Sequence, residues 1–369
     1  MSGTAVVVGG GIAGLTAAVA LGRIGWRVTV LEEAPVFWEA GAGLSVMRGG
    51  QRALGELGLL DRAREEGHPN RLGGVRRPDG AWLAEFPDGS WTAIGLHRRS
   101  LHGMLLDLAG GVAELLPGAR VQRVVGGRPG GESAEVWWHA DGVEHVVLAD
   151  LVVGADGVRS ITRDVVAPGA GASAMGYVAW RAVAQADLLG ADDWAVWWGQ
   201  GVEFAAQRIA PGRVSWHCLL SDGRGATRGD LAEAVSGWEG RVRGTLDATA
   251  DLAVFRHDLR EVRPLPSSLS AGRTVLIGDA AHALAPTLNQ GANLALEDGV
   301  TLGGVLAGGA SLPEALRRFD ELRLCRCRRI ATRSRWMLGL GAGWKGPGPA
   351  RDLLVRLGGR WLPSATAVG

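Results

Sequence analysis

Apolar and polar positions change period several times along this chain. Residues 5–8 are a short β-branched run that breaks at Gly9, and residues 15–24 carry Leu, Ala and Val in the manner of a buried helix. Residues 27–31 turn apolar again and end at Glu32 and Glu33, so the chain opens as strand, helix, strand. Two copies of Pro-Asp-Gly-x-Trp, at 78–82 and 87–91, have the chemistry of successive tight turns in a hairpin excursion. Residues 134–149 alternate around Ala140-Asp141-Gly142, which predicts antiparallel strands, and 151–153 read as a buried parallel strand ending at Gly154-Ala155-Asp156-Gly157. Trp-rich segments at 194–198, 202–209 and 213–220, with a turn at Pro211-Gly212, predict a separate antiparallel sheet. A helix over 228–243, a strand over 273–277 ending at Gly278-Asp279, a helix over 292–306 and a long basic helix from Pro313 complete the pattern.

The length of 369 residues exceeds the span over which one core keeps growing, about 250–300 residues, so two joined domains are expected. With 47% apolar residues and no apolar run of 18, neither a membrane span nor a disordered scaffold fits. The 39 basic residues, of which only Lys345 is Lys, nearly cancel 38 acidic ones, so no global field draws the chain to nucleic acid or to an anionic membrane. No basic stretch precedes the first apolar run, which argues against a signal peptide and makes the cytoplasm the expected compartment. Cys218 stands alone, and Cys325 and Cys327 lie in an Arg-rich stretch without further thiol or His neighbours, so neither a disulfide nor a metal site is expected.

Glycine, at 59 of 369 residues, makes a bare Gly-x-Gly-x-x-Gly uninformative: about 1.5 matches arise by chance at this composition. Two occur. The copy at Gly341, Gly343 and Gly346 joins no strand to a helix, whereas Gly9, Gly11 and Gly14 do, and Glu32 closes the next strand. In that setting Gly9, Gly11, Ile12, Ala13 and Gly14 present backbone amides and a helix start to a pyrophosphate, and Glu32, beside Glu33, offers a carboxylate to ribose hydroxyls. Asp156, with Gly157, stands at the end of a second strand, where it could equally cap a helix. Asp279 ends a third strand, where open α/β sheets bind ligands, and Pro286, Gln290, Gly291, Ala292 and Asn293 lead into a helix whose positive end faces the same crevice.

With these pieces in this order the chain resembles, over nearly its whole length, the single-component FAD-dependent aromatic hydroxylases of the p-hydroxybenzoate hydroxylase type. The segment His97-Arg98-Arg99-Ser100-Leu101-His102 is similar to that family's Arg-x-x-Leu helix start. The resemblance implies an α/β fold: a Rossmann-like FAD-binding domain, with a glutathione-reductase-type parallel sheet and a β-meander, an inserted antiparallel-sheet substrate domain, and a C-terminal helix. The expected division is 1–73, 95–167 and 265–310 for the FAD domain, 74–94 and 168–264 for the substrate sheet, and 311–369 for the C-terminal helical segment. It further implies non-covalent FAD, with Glu32 on the adenosine ribose, Arg98 near the phosphates, Asp279 at the ribityl or pyrophosphate region, and Asp156 and Gly157 also on FAD. NAD(P)H would be a transient co-substrate, since no second strand-associated Gly-rich turn exists, and O2 would supply one oxygen atom through a C4a-(hydro)peroxyflavin. The chain departs from the family at Asn289, where a Gly is usual; Asn is among the residues that best tolerate a left-handed backbone.

The expected activity is hydroxylation of a planar, hydrophobic aromatic or polycyclic small molecule. Epoxidation, Baeyer–Villiger insertion, and a non-catalytic FAD protein that binds a hydrophobic ligand are the alternatives. Fifteen Trp against a single Tyr, with Trp180 and Trp216 in the inserted sheet, suit a flat apolar ligand, though each Trp alone would more simply fill a β core. Arg208 shares a strand face with Phe204 and Ala206, and the resemblance implies a substrate-carboxylate Arg on the corresponding strand, so Arg208, and likewise Arg181 after Trp180, are candidate partners of an anionic substrate group. Pro286 and His217 are further candidates, the second as a base for a phenol. None of these is a required nucleophile, because the oxygen chemistry belongs to the flavin.

Overall fold

The computed structural model describes residues 3–37, 41–86, 92–128, 130–186, 188–190, 193–221, 227–250 and 253–358. The second Pro-Asp-Gly-x-Trp copy, 87–91, lies outside them; the first turns a hairpin between His68–Arg76 and Trp82–Glu85, with Gly80 at φ +86°.

A six-stranded sheet runs in the order Ser270–Ala271, Thr274–Leu276, Leu151–Gly154, Thr4–Val8, Arg27–Glu32, Glu114–Pro117, parallel except for its first pair. Strand alternation divides its side chains. Ala5, Val7, Val28, Val30, Leu151 and Val153 pack with the helices Ile12–Arg23, Arg98–Gly110 and Gly291–Ala307. Val6, Val8, Leu31 and Val152 pack instead under a three-stranded meander, Arg120–Val125, Ala134–Ala140 and Val143–Ala149. Asp141 and Gly142 turn its hairpin at φ 51° and 76°, the left-handed pair that a tight hairpin needs.

The second body is a nine-stranded mixed sheet: Phe255–Val262, Ala172–Ala184, Arg213–Ser221, Val202–Ala210, Trp194–Trp198, His68–Arg76, Thr92–His97 and Gly43–Val46 in order, with Trp82–Glu85 against His68–Arg76. One face carries Trp180, Trp197, Phe204 and Trp216 and is sealed by Leu231, Val235, Trp238 and Val242. The helix expected over 228–243 is two helices, Arg228–Ala234 and Gly240–Asp247. The chain breaks between them because Trp238 turns under the sheet and the Glu239 carboxylate accepts the Trp197 indole N–H and bonds Arg241. The other face looks back at the parallel sheet. The basic helix Leu312–Leu340 lies across both bodies: Phe319 enters the first core, and Leu338 packs with Ala179 and Leu219 of the second sheet.

Candidate functional site

Between the two bodies lies a cavity of about 630 Å³. Its floor on the parallel-sheet side is made by Gly11, Ile12, Ala13, Ala155, Gly157, Asp279, Pro286, Asn289, Gly291 and Ala292, with Arg98 at one side. Most of these lie at or just beyond a strand's carboxyl end or at a helix start, the side of a parallel sheet where ligands bind.

The local backbone follows from the glycines. Gly9 takes φ +103°, and a Cβ on Gly14 would overlap the Gly9 carbonyl oxygen, so the strand can turn into its helix only without side chains at these points. The helices Ile12–Arg23 and Gly291–Ala307 both start at the cavity, and neither is capped by a side chain, which leaves their first amides for a ligand. The loop before the second helix turns at Asn289, whose φ of 52° is the left-handed conformation that the usual Gly would take.

Behind this floor stands a buried ionic cluster. Asp298 accepts from Gly278 N at 2.9 Å, His282 Nε2 at 2.6 Å and Arg323 Nε at 2.6 Å, while Arg323 and Arg326 share Glu297 at 2.8 and 2.5 Å. Burial pushes the Asp298 carboxyl up, but Arg323 and His282 outweigh it and bring it down to about 2. Burial likewise opposes charge on His282, yet Cys327 and Asp298 raise it well above the ordinary imidazole range. His282, Asp298 and Cys327 are close enough to ligate a metal, but the Arg323 guanidinium already occupies the carboxylate, so the group reads as an ion-paired clamp on the Gly278–Asp279 turn.

The expected site residues divide by position. Gly11, Ile12, Ala13, Arg98, Gly157, Asp279, Pro286, Gly291 and Ala292 line the cavity, as do Arg181, Trp216 and His217 from the large sheet. Glu32 takes Gly10 N at 2.7 Å and Ala34 N at 2.8 Å at its strand end, and Glu33 pairs with Arg120 on the surface. Asp156 turns one carboxylate oxygen onto Ile161 N, Thr162 N and the Thr162 hydroxyl, the capping role, while its other oxygen is buried without a partner among the described residues. Asn293 stitches rather than lines: it accepts Met47 N at 2.8 Å and donates to Ser45 and Asn289 carbonyls. Gln290 is buried beside it.

On the large sheet, strand parity decides everything. Arg208 does share a face with Phe204 and Ala206, but that is the face sealed by helices; its guanidinium leaves the sheet to pair with Asp193 at 2.7 Å and the Gly190 carbonyl. Trp180 and the Trp216 ring lie in the same sealed core, the Trp216 indole N–H donating to Thr249. The cavity face belongs to the other parity. Register opposes Arg181 to His217 and Phe255, and His217 to Ala205. One step along, Ala179 faces Leu219 and His257, and Leu219 faces Glu203, which is opposed to Trp198. Trp194, Gln207 and Ser215 form a further row. Gln207 and Ser215, which line the cavity, carry no mark in the sequence reading, although counting alternate residues outward from Arg181 and His217 finds their row.

The fold and this cavity define a flavoprotein with one dinucleotide-binding body facing a β-sheet wall. Comparisons with known proteins agree. A family model described as "FAD binding domain" matches residues 3–334. The chain is 32% identical over 333 residues to the aurachin C monooxygenase/isomerase of Stigmatella aurantiaca, covering 87% of this chain and 85% of that one. It is 31% identical over 355 residues to the 3-hydroxybenzoate 6-hydroxylase of Polaromonas naphthalenivorans (strain CJ2), covering 90% and 86%. Among solved structures, Klebsiella pneumoniae HpxO complexed with FAD and uric acid superposes with a TM-score of 0.83 at 25% identity, covering 98% of this chain and 95% of that one. The chain belongs to the FAD-binding-domain family and is an FAD-dependent monooxygenase of the aromatic-hydroxylase type. The uncapped helix starts, the side-chain-free Gly9–Gly14 turn, Arg98 and Asp279 fit the diphosphate and ribityl parts of that cofactor.

Proposed function

We propose that this protein uses NADH or NADPH as reductant and O2 as oxidant to hydroxylate a flat, largely apolar aromatic small molecule held between the flavin and the large sheet. The observation that carries the reading is the single cavity that joins Asp279, Arg98 and two helix starts to the Arg181–His217 row of the sheet. A cofactor on the floor would thereby face a substrate on the wall. Bound FAD supplies hydride acceptance and oxygen activation; the protein orients the two partners and keeps water out. The uncapped helix start at Gly291 would offer amides and a positive dipole to a bound ring system that gains negative charge on reduction. Relatives named as acting on hydroxybenzoate and binding uric acid support a planar, polar-edged substrate. The reductant is assigned a transient site, because the second Gly-x-Gly-x-x-Gly follows the helix Leu312–Leu340 and joins no strand to a helix.

The test is a screen of phenols, aromatic acids and polycyclic compounds against the FAD-loaded protein, with NADH and NADPH oxidation as the readout. A compound that stimulates oxidation and leaves as a product heavier by one oxygen atom supports the reading. Compounds that bind tightly yet leave reductant consumption unchanged would instead mark a non-catalytic ligand-binding flavoprotein.

A further inference from the structure

The helix Arg98–Gly110 carries two polar residues four positions apart, and so on one face, toward the Gly-rich turn of the first strand. Arg98 lines the cavity. His102 does not: it is only 3% exposed, on a helix side otherwise built of Leu101, Met104, Leu105 and Ala109. An imidazole buried there is costly unless it is hydrogen-bonded. Its Nε2 lies 2.9 Å from the Gly10 carbonyl oxygen, and because a carbonyl only accepts, Nε2 carries a proton and donates.

Gly10 is buried between Gly9 and Gly11, and Gly11 lines the cavity. Gly10 and Gly11 are joined by a trans peptide, a planar unit whose C=O and N–H point in opposite directions. Turning the Gly10 carbonyl to His102 therefore turns the Gly11 N–H away from the helix Arg98–Gly110. That amide donates to no group among the described residues, and it stands at the helix start that opens on the cavity. A peptide plane between two glycines has no Cβ on either side to restrict its rotation, so a hydrogen bond must fix it. The preceding plane is fixed in the same way from elsewhere. Glu32 accepts the Gly10 N–H at 2.7 Å, and the Gly9 carbonyl oxygen fills the place that a Cβ on Gly14 would take. Carboxylate and imidazole thus hold successive peptide planes of one turn.

We infer that His102 is a positioning residue for the cofactor: its hold on the Gly10 carbonyl sets the Gly10–Gly11 peptide so that the Gly11 amide is ready to donate to an oxygen of the FAD diphosphate. This rests on the assignment of FAD to the cavity floor and names the buried side chain that prepares one of its donors. An amide fixed before the anion arrives need not be ordered on binding, which favours affinity. Without its donor the Gly10 carbonyl would be buried and unpaired, and the plane would turn toward another partner, taking the Gly11 N–H with it. The same reasoning explains why a hydrogen-bonding residue sits on an apolar side of its helix.

The experiment titrates the FAD-free protein with FAD, following flavin fluorescence, in the parent and in His102→Gln, His102→Asn and His102→Leu. The Gln side-chain nitrogen stands as many bonds from Cβ as Nε2 does and can reach the Gly10 carbonyl; that of Asn stops one bond short, and Leu has no donor. His102→Asn and His102→Leu should raise Kd for FAD by about tenfold or more, the scale of one lost charge-assisted hydrogen bond, and His102→Gln should stay within about threefold of the parent. A second measurement needs no variant. Deuterium exchange at the Gly11 amide of the parent should slow by about tenfold or more when FAD is added. Parent-like affinity in His102→Asn or His102→Leu, or a loss in His102→Gln as large as in His102→Leu, would overturn the inference, the second by showing that shape and not the donated proton matters. Exchange at Gly11 that FAD leaves unchanged would overturn it as well. Should His102→Leu fail to fold, the Gln and Asn pair and the exchange measurement decide. A parent that binds FAD while these tests fail leaves the flavin reading intact; a parent that takes up no FAD overturns both.

Discussion

The Asp298 carboxylate, on the helix Gly291–Ala307, holds the Gly278 amide 2.9 Å away, and Gly278 stands at φ +59° immediately before Asp279. The strand end that presents Asp279 to the cavity is thus fixed from behind by the helix that also starts there. Arg323 and His282 complete the carboxylate's shell. Asp298→Asn leaves His282 buried without its counter-charge and Arg323 with Glu297 alone, and a broken buried pair of this kind costs about 3–5 kcal/mol. Denaturant unfolding of the FAD-free protein at neutral pH should show that loss; a change below about 1 kcal/mol contradicts the clamp.

The same cluster sets a pH signature. Because the folded-state pKa of His282 is raised above its unfolded value, its ion pair stabilises fully below about pH 6.5 and fades as pH rises through the folded value. The stability deficit of His282→Asn relative to the parent should therefore be largest at pH 6 and smaller at pH 9. A deficit that grows over this interval would show that His282 is neutral in the folded state.

Two glycines on one helix separate folding from cofactor binding. A Cβ on Gly291 or on Gly304 meets nothing within 4 Å, but only Gly291 lines the cavity. Gly304→Ala should stabilise by up to about 1 kcal/mol through helix propensity and leave FAD affinity alone. Gly291→Ala should leave stability within about 1 kcal/mol of the parent yet weaken FAD binding, measured by fluorescence titration, because its methyl group enters the space where the ring system approaches. Equal FAD affinity in the two variants contradicts the placement of the cofactor.

Arg208 offers a negative control. Its partner Asp193 is partly exposed and lies away from the cavity, so Arg208→Leu should cost on the order of 1 kcal/mol of stability and change KM for a turned-over substrate by less than about twofold. A tenfold rise in KM with unchanged FAD content would place Arg208 at the substrate after all.

Much of this molecule is legible in its sequence because backbone demands leave marks there. Gly9 and Gly14 are required by a turn that admits no side chains, Asn289 supplies a left-handed residue where Gly is usual, and the alternation of 134–149 gives its hairpin directly. The two sides of the parallel sheet were not separable beforehand, since strands buried on both faces read as unbroken apolar runs. The large sheet posed a different difficulty. Period-two counting placed Arg208 with Phe204 correctly, but both faces of the strand Val202–Ala210 are almost wholly buried, so the pattern did not say which one looks at the cavity. The aromatic crowding that suggested a ligand wall is mostly the sealed core, and polar residues of the opposite face, Gln207, Ser215 and His217, line the cavity. Asp156 shows the limit from another side, because a capping carboxylate and a cofactor ligand carry the same local sequence.

The central claim, that FAD on the cavity floor delivers an oxygen atom from O2 to an aromatic compound on the sheet wall, is tested most directly by isotope labelling. The FAD-loaded protein is supplied with NADH or NADPH and a stimulating aromatic compound under heavy-isotope O2 in ordinary water, and the product is weighed. One labelled oxygen atom per product, with one reductant consumed per product formed, is the expected result. Product oxygen that comes from water, or reductant consumption that yields only hydrogen peroxide with every compound that binds, would contradict it.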